Sequence, residues 1–199
     1  MLNNISFGAK IPIATCGIIN KSTGESEAAT IYEYDCKDFS DVETIEKIAD
    51  ESPWEYAHCI LLSANNKFNN IKKNKYTCEN IYALENKDGK TLNLCCTNEG
   101  LDETTVNFIE TKQKSGYKYC GQNMMATIAQ KALNEFKNFI IIHRARQGAW
   151  KFYIRNCGFS PTGIQYNSSE IDMIMSSKRF EELVKKTEEK TGKSIIIIG

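Results

Sequence analysis

The sequence predicts a mixed α/β (α+β) fold in which one mixed central β-sheet is flanked by helices. Three observations support this prediction: apolar runs of strand length, stretches with apolar residues at helical spacing between them, and turn residues at their junctions. At 199 residues the chain is long enough to bury a sizeable core, and no stretch separates two lobes. We therefore expect a single domain built from layers of helix and sheet.

The first half of the chain predicts a strand pair, two short helices and two further strands. An S-x-x-E capping box at residues 40–43 begins the first helix near Asp41, and Ser52-Pro53 begins the second. Asp88-Gly89 predicts a tight hairpin, whereas the Asn- and Lys-rich residues 65–75 predict a solvated loop. The predicted strands are residues 11–19, 28–34, 77–84 and 91–97.

The middle of the chain, residues 104–132, predicts a strand, a glycine-bearing loop and a helix. The strand covers residues 106–110, Gly116 and Gly121 lie in the loop, and Gly121 sits at or just before the first turn of the helix. The free N–H groups of a helix N-terminus attract an anion, and glycine lets the backbone approach it closely. The sequence therefore predicts a phosphate-sized anion site, with positive charge added by three lysines of the loop, Lys112, Lys114 and Lys118.

This loop is not a P-loop. Gln122 and Asn123 stand where a P-loop has the lysine that meets the phosphates and the hydroxyl that holds magnesium. Nucleotide hydrolysis is therefore disfavoured.

The last third of the chain predicts strand, helix, strand, helix and strand. Residues 139–143, FIIIH, are nearly all apolar and predict a central buried strand, and the helix over residues 147–156 is expected to end at Gly158. The remaining elements are a strand at 171–175, a helix at 177–191 and a strand at 195–198. The terminal strand is expected to extend the same sheet, although residues 1–27 and 177–199 could instead form a homodimer interface.

Composition excludes several function classes. Lys plus Arg and Asp plus Glu number 25 each, so no global charge draws the protein to nucleic acid or to an anionic membrane. No apolar run is long enough to span a membrane. The eight cysteines show no zinc-site or C-x-x-C spacing and are interpreted as small buried hydrophobes in a reducing cytoplasm. The two histidines, His58 and His143, are far apart in sequence, and we expect no metal site.

The element order and two sequence blocks resemble the GNAT superfamily of acyl-CoA-dependent N-acetyltransferases. The first block is the loop Gly116–Gly121, in which the last glycine matches the family's [QR]-x-x-G-x-[GA]; it diverges at Gly116 and at Tyr119. The second block, AWKFYIRNCGF at residues 149–159, is similar to the family's A-x-x-F-Y-x-[KR]-x-G-F but is one residue longer before Gly-Phe. Arg146 stands where the family often has Asn.

The resemblance implies a GNAT-like core over residues 28–176, with extensions at 1–27 and 177–199. It implies an acyl-CoA co-substrate, with pyrophosphate held by N–H groups of the loop and pantetheine bonded to the strand before it. The cofactor-binding residues so implied are Ile109, Thr111, Gly116, Tyr117, Lys118, Tyr119, Cys120, Gly121, Gln122 and Arg146.

The resemblance also implies the catalytic groups. Tyr153 is the expected acid that protonates the departing thiolate, and Glu110 is the candidate base, with Asp102, Glu103 and water as alternatives. The acceptor is an unidentified small-molecule or protein amine. The departures at Gly116, Tyr119 and Arg146 leave a second interpretation open, a GNAT-fold binding or interaction protein that has lost catalysis.

Overall fold

The computed structural model describes residues 10–51, 54–55, 57–69 and 78–198. Helices and strands alternate through these residues in the predicted general order. The strands are β1 (Ile11–Asn20), β2 (Ser26–Tyr34), β3 (Asn80–Asn86), β4 (Thr91–Glu99), β5 (Glu103–Thr111), β6 (Tyr117–Lys118), β7 (Phe139–Arg146), β8 (Ser160–Asn167), β9 (Glu170–Ser176) and β10 (Ile196–Ile197). The helices are α1 (Phe39–Asp50), α2 (Ala57–Phe68), α3 (Cys120–Asn134), α4 (Gln147–Lys151) and α5 (Phe180–Thr191).

The strands form one mixed sheet in the order β10-β1-β2-β3-β4-β5-β7-β9-β8, and the two-residue strand β6 pairs with β1. Neighbours are antiparallel except β5 and β7, which are parallel and are joined by α3 as their crossover. This arrangement confirms the predicted fold class, a mixed central sheet flanked by helices.

The helices cover the sheet in two layers with separate apolar clusters. One cluster packs α1 and α2 on one face, and the other packs α3, α4 and α5 on the opposite face. Adjacent residues of a strand point to opposite faces, so Cys95 of β4 belongs to the α3 cluster and Cys96 to the α1–α2 cluster. We call these surfaces the α3 face and the α1–α2 face.

Several predicted boundaries in the first half need correction. The N-cap of α1 is Asp38, whose side chain accepts from the N–H of Ser40, so the helix begins before the predicted capping box. Helix α2 continues to Phe68 and takes up the start of the predicted loop 65–75, because Ala64 and neighbouring side chains pack under the sheet. The predicted helix start at Ser52-Pro53 and residues 70–75 lie outside the described residues.

Two strands were absent from the sequence prediction. β6 is too short to produce a pattern, and β8 covers residues for which the sequence predicts no helix or strand. All eight residues of β8 are exposed, so the strand carries no apolar alternation. β8 is an edge strand, and its irregular register and Pro161 protect that edge from further pairing.

The C-terminal strand extends the sheet, as predicted. Ile196 pairs with Thr15 and Ile197 with Ala14 on the outer edge of β1. A homodimer through the terminal regions stays a prediction.

All eight cysteines are free, and seven of them are buried, which agrees with their interpretation as small apolar residues. Within the described ranges, no helix has the length and apolarity needed to cross a membrane. In the same ranges, no three or more side chains are grouped as metal ligands.

Candidate functional site

The sheet opens between its two parallel strands. β5 and β7 are paired only from Glu103 with Phe139 to Val106 with Ile142. Each strand then continues, β5 to Thr111 and β7 to Arg146, without further pairing between them. A parallel pair that separates at its carboxyl ends leaves a gap in the middle of the sheet.

Both strands are irregular at the point of separation. On β5 the register against β4 shifts so that Asn107 is the extra residue next to Val106. On β7 the register against β9 shifts between Ile142 and Ala145, and Arg144 has a left-handed φ of 55°. Bulges bend a strand away from its neighbour, so the gap is built into both strands.

The gap exposes one edge of β5 to a ligand. Ile109 and Thr111, two predicted cofactor-binding residues, lie on this part of β5, where β4 is the only strand paired with it among the described residues. Ile109 packs on the α3 cluster, and the Thr111 hydroxyl accepts a hydrogen bond from Asn93 Nδ2 at 2.9 Å. An extended ligand can add to such an edge through main-chain hydrogen bonds.

Helix α3 begins just after this strand and supplies free N–H groups. The first intrahelical bond runs from Asn123 N–H to the Tyr119 carbonyl at 2.8 Å, and no side chain caps the helix. The N–H groups of Cys120, Gly121 and Gln122 precede that bond. The predicted start of the helix at the second glycine is therefore confirmed.

The loop before α3 is held against β1. Tyr117 pairs with Asn20 and Lys118 with Ile19, while the carbonyl of Gly116 accepts from Lys21 N–H at 2.8 Å. These contacts fix the backbone that leads into α3.

Tyr119 stands where the family pattern has glycine, and its φ is 68°, in the left-handed region that glycine favours. The loop therefore keeps a glycine-like backbone at this position, at a cost of roughly 1–2 kcal/mol.

One of the three lysines predicted to add charge to the loop, Lys112, differs from the prediction. Lys112 is buried, its Nζ lies 2.6 Å from Glu51 and its charge faces the ring of Trp54, so it does not point into the loop. Lys114 and Lys118 are exposed, as expected of loop residues. Lys190 of α5 adds a cation that sequence spacing could not reveal, with Nζ 5.6 Å from the ring of Tyr119.

The side chains of the first turn of α3 are engaged in packing. Gln122 donates to Thr187 of α5 at 3.0 Å, and burial raises the pKa of the Cys120 thiol to about 12. Their side chains are thus engaged elsewhere, and the main-chain N–H groups are what these two residues can offer a ligand.

Gly121 lies against Thr111 and Phe152. A Cβ at Gly121 would be 3.0 Å from Thr111 Oγ1 and 3.3 Å from Phe152 Cζ. This close approach joins the end of β5, the start of α3 and the helix after β7, and it leaves little room for a Cβ at Gly121.

The helix after β7 contains the predicted acid, Tyr153. A π-helical turn, Phe152–Cys157, follows α4 and accommodates the one extra residue seen in the sequence block. The turn ends at Gly158, the predicted C-cap, with φ 84°. The N–H groups of Gly158 and Phe159 both donate to the Tyr153 carbonyl, which fixes the backbone of this residue.

The Tyr153 side chain is almost fully buried on the α3 face. Its ring makes edge contacts with Phe152 and Phe159. Burial, together with the nearby thiols of Cys95 and Cys157, raises its pKa well above the ordinary range, so it stays protonated at neutral pH. Its hydroxyl makes no hydrogen bond within the described part of the chain.

The predicted base, Glu110, lies on the opposite face. Its carboxylate accepts the N–H of Glu55 at 2.5 Å, in the connection between α1 and α2. Glu110 and Tyr153 thus flank the gap from the two sides of the sheet. The alternatives Asp102 and Glu103 lie at the other end of β5, roughly 25 Å along the strand from Thr111.

Sequence reasoning missed a pair of titratable residues at the gap. His143 is the first residue of β7 beyond the parallel pairing, and its Nδ1 lies 3.0 Å from Asp172 Oδ2 on β9. A lone histidine after an apolar run gave no signal, because its partner is 29 residues away in the chain. Arg146, predicted to bind cofactor, is the exposed last residue of β7 and the N-cap of α4.

Two cavities among the described residues lie away from the gap. One of about 220 Å³ is lined by Ile13, Asn134 and Ile197, between α3 and the outer edge of the sheet. It contains none of the predicted site residues.

Neither protein-family models nor curated protein sequences gave a match to this sequence. Solved structures do match. An uncharacterized protein from Bacillus halodurans is 12% identical and has a TM-score of 0.56, over 92% of this chain and 99% of that one. The PaiA N-acetyltransferase from Thermoplasma acidophilum, solved in complex with coenzyme A, is 15% identical with a TM-score of 0.54, over 74% and 98%.

The ribosomal-protein-S18-alanine N-acetyltransferase from Escherichia coli is 18% identical, with a TM-score of 0.50 over 74% of this chain and 93% of that one. At these identities the likeness concerns the fold. The chain has the fold of GNAT-family acetyltransferases, which confirms the fold that the resemblance implied.

Proposed function

We propose that this protein is an acyl-CoA-dependent N-acetyltransferase that acetylates a small-molecule or protein amine, with acetyl-CoA as co-substrate and no metal. The observation that carries the proposal is the gap between β5 and β7, at whose end the uncapped N-terminus of α3 begins. An extended pantetheine arm fits a strand edge, and a pyrophosphate fits free N–H groups. The fold, which is that of solved acetyltransferases, supports the same activity.

In this proposal the loop and the first turn of α3 bind the pyrophosphate through the main chain. Lys118 and Lys190 supply nearby positive charge, and the edge of β5 at Ile109 and Thr111 binds the pantetheine. The thioester then lies in the gap. Tyr153, protonated and fixed by the π turn, is the group that donates a proton to the departing thiolate.

A second function is favoured by a specific observation. The ring of Phe152 lies against the first turn of α3, and Lys112 is paired with Glu51 instead of facing the loop. A chain that binds acyl-CoA weakly, and acts as a binding or interaction protein without turnover, would show these features. Acetyl-CoA binding together with transfer to an amine separates the two functions.

The test is calorimetric titration of the wild type with acetyl-CoA and with S-acetylpantetheine, which lacks the pyrophosphate and nucleotide. We expect acetyl-CoA to bind at least about 10-fold more tightly, since each charge-assisted contact contributes about 1.5–3 kcal/mol. Lys118→Glu should remove most of that difference, whereas Lys185→Glu, on the exposed side of α5, should not. Well-folded wild type that binds neither compound would refute the proposed function.

A further inference from the structure

The pair formed by His143 and Asp172 stands at the gap without a role in the function so far described. His143 is where β7 leaves β5, and its side chain is 51% exposed, whereas that of Asp172 is 4% exposed. A buried carboxylate that orients a half-exposed imidazole is an arrangement that can move a proton.

The hydrogen bonds of Asp172 fix the orientation of the ring. Oδ1 accepts the N–H of Arg144 at 2.9 Å, and Oδ2 accepts the hydroxyl of Tyr166 at 3.0 Å. Burial alone would raise the pKa of Asp172, but these bonds and His143 outweigh it and lower the pKa. An ionised carboxylate only accepts, so His143 Nδ1–H is the donor, and the neutral ring then carries its lone pair on Nε2.

The pair lies on the α1–α2 face. Ile142 and Met173, the residues just before His143 and just after Asp172, both belong to the cluster on the α3 face, so His143 and Asp172 point the other way. Glu110 is on the same side, bonded to Glu55. The proposed acid, Tyr153, is on the opposite side of the gap.

We propose that His143, oriented by Asp172, removes the proton from the ammonium group of the acceptor before it attacks the thioester. This inference rests on the proposed acetyltransferase function. It assigns the base to β7 instead of to Glu110, whose carboxylate is already bonded to the main chain of the α1–α2 connection.

The chemistry is balanced. One ammonium proton passes to Nε2 of His143, and the freed lone pair forms the C–N bond to the acyl carbon. The C–S bond breaks, and the thiolate takes a proton from Tyr153, which is replenished by the second proton of the amine nitrogen. His143 returns its proton to solvent.

Charged and titratable groups lie near the His143–Asp172 pair. Besides Asp172, they are Tyr166 of β8, Arg144 of β7 and Glu170 of β9, the last two forming an ion pair at 2.9 Å. Arg144 also stacks over the ring of Tyr166, 5.0 Å from its centroid. Asp172 is the group within hydrogen-bond distance of the ring, so it is the positioning residue whose removal we test.

The experiment compares His143→Gln with His58→Gln, a change at the chain's other histidine, which is exposed on α2. Each variant is assayed with an alkylamine acceptor found by screening and with its analogue that carries a trifluoromethyl group on the carbon bearing the amino group. The fluorinated amine is neutral at pH 7 and needs no base. A merely structural loss would affect both amines equally.

We expect His143→Gln to lower kcat/KM for the alkylamine by roughly 100-fold at pH 7, and by only a few-fold for the fluorinated amine. The deficit should shrink at high pH, where the alkylamine loses its own proton. Asp172→Asn should show the same pattern, since an amide cannot hold the ring in the tautomer that accepts the proton. His58→Gln should match the wild type.

The experiment distinguishes a failure of the His143 proposal from a failure of the acetyltransferase proposal. Equal losses for both amines, or wild-type kinetics in His143→Gln with acetyl-CoA binding intact, would overturn the role of His143 and leave the acetyltransferase proposal standing. Wild type that binds acetyl-CoA but acetylates no amine of the panel would overturn the role and favour the binding protein. Wild type that does not bind acetyl-CoA would overturn both proposals.

Discussion

The close approach at Gly121 gives a stability prediction with a built-in control. Gly121 is the second residue of α3, and Gly148 is the second residue of α4. Replacing glycine by alanine in a helix gains up to about 1 kcal/mol at either position. The two sites differ in space, because a Cβ at Gly148 meets no atom within 4 Å, whereas at Gly121 it meets Thr111 and Phe152.

The contacts at Gly121 decide the sign of its effect. At 3.0 Å and 3.3 Å the neighbours must shift, and overpacking of this kind costs about 1–3 kcal/mol. We expect Gly148→Ala to raise the free energy of unfolding by up to about 1 kcal/mol and Gly121→Ala to lower it by about 1 kcal/mol. The difference of about 2 kcal/mol corresponds to roughly 4–8 °C in Tm for a chain of this size.

Thermal and urea unfolding of the two variants, in parallel with the wild type, measure this difference. A double-mutant cycle with Phe152→Leu should recover part of the loss in Gly121→Ala, because it removes one of the two crowded neighbours. If Gly121→Ala were stabilised as much as Gly148→Ala, the end of β5, the first turn of α3 and Phe152 would not meet as described. The geometry proposed for the cofactor site would then be wrong.

Three further predictions follow from buried titratable groups. Asp172→Asn should lower the free energy of unfolding by about 1–2 kcal/mol at pH 7. Because the pKa of Asp172 is lowered in the folded protein, its stabilising contribution is present above about pH 4 and is lost as the pH falls through the folded pKa. The difference in stability between the variant and the wild type should therefore shrink below about pH 4 in acid denaturation curves. Tyr153→Phe should lower kcat roughly 10- to 100-fold while changing Tm little, since the hydroxyl has no hydrogen bond to lose among the described residues; unchanged kcat would exclude it as the acid. In the native protein a thiol reagent should quickly modify one cysteine, the half-buried Cys59. In denaturant it should modify all eight, and a count below eight would reveal a disulfide.

The parts of the fold that sequence predicted are those with strong local patterns. The apolar run at 139–143, the Asp88-Gly89 turn and the apolar face of α3 each determine their structure through nearby residues. β8 was missed because an exposed edge strand has no buried side to alternate with, and the N-cap of α1 was misplaced because Asp38 and Ser40 are both good caps.

The candidate site shows the same contrast between features that local sequence predicts and features that it does not. The extra residue before Gly158 was visible in the sequence, and it is the π turn that fixes Tyr153. Spacing alone could not predict that the extra residue forms a π turn, since an inserted residue can equally lengthen a loop.

The charges at the site depend on contacts between residues distant in sequence, which explains why they were mispredicted. Lys112 is close to the loop in sequence but pairs with Glu51, 61 residues away, whereas Lys190 reaches the loop from α5. His143 likewise acquires its orientation only through Asp172. A charged side chain is directed by whichever partner the sheet brings to it, so the chemistry of the gap depends on the pairing of β7 with β9 more than on the glycine loop that first indicated a site.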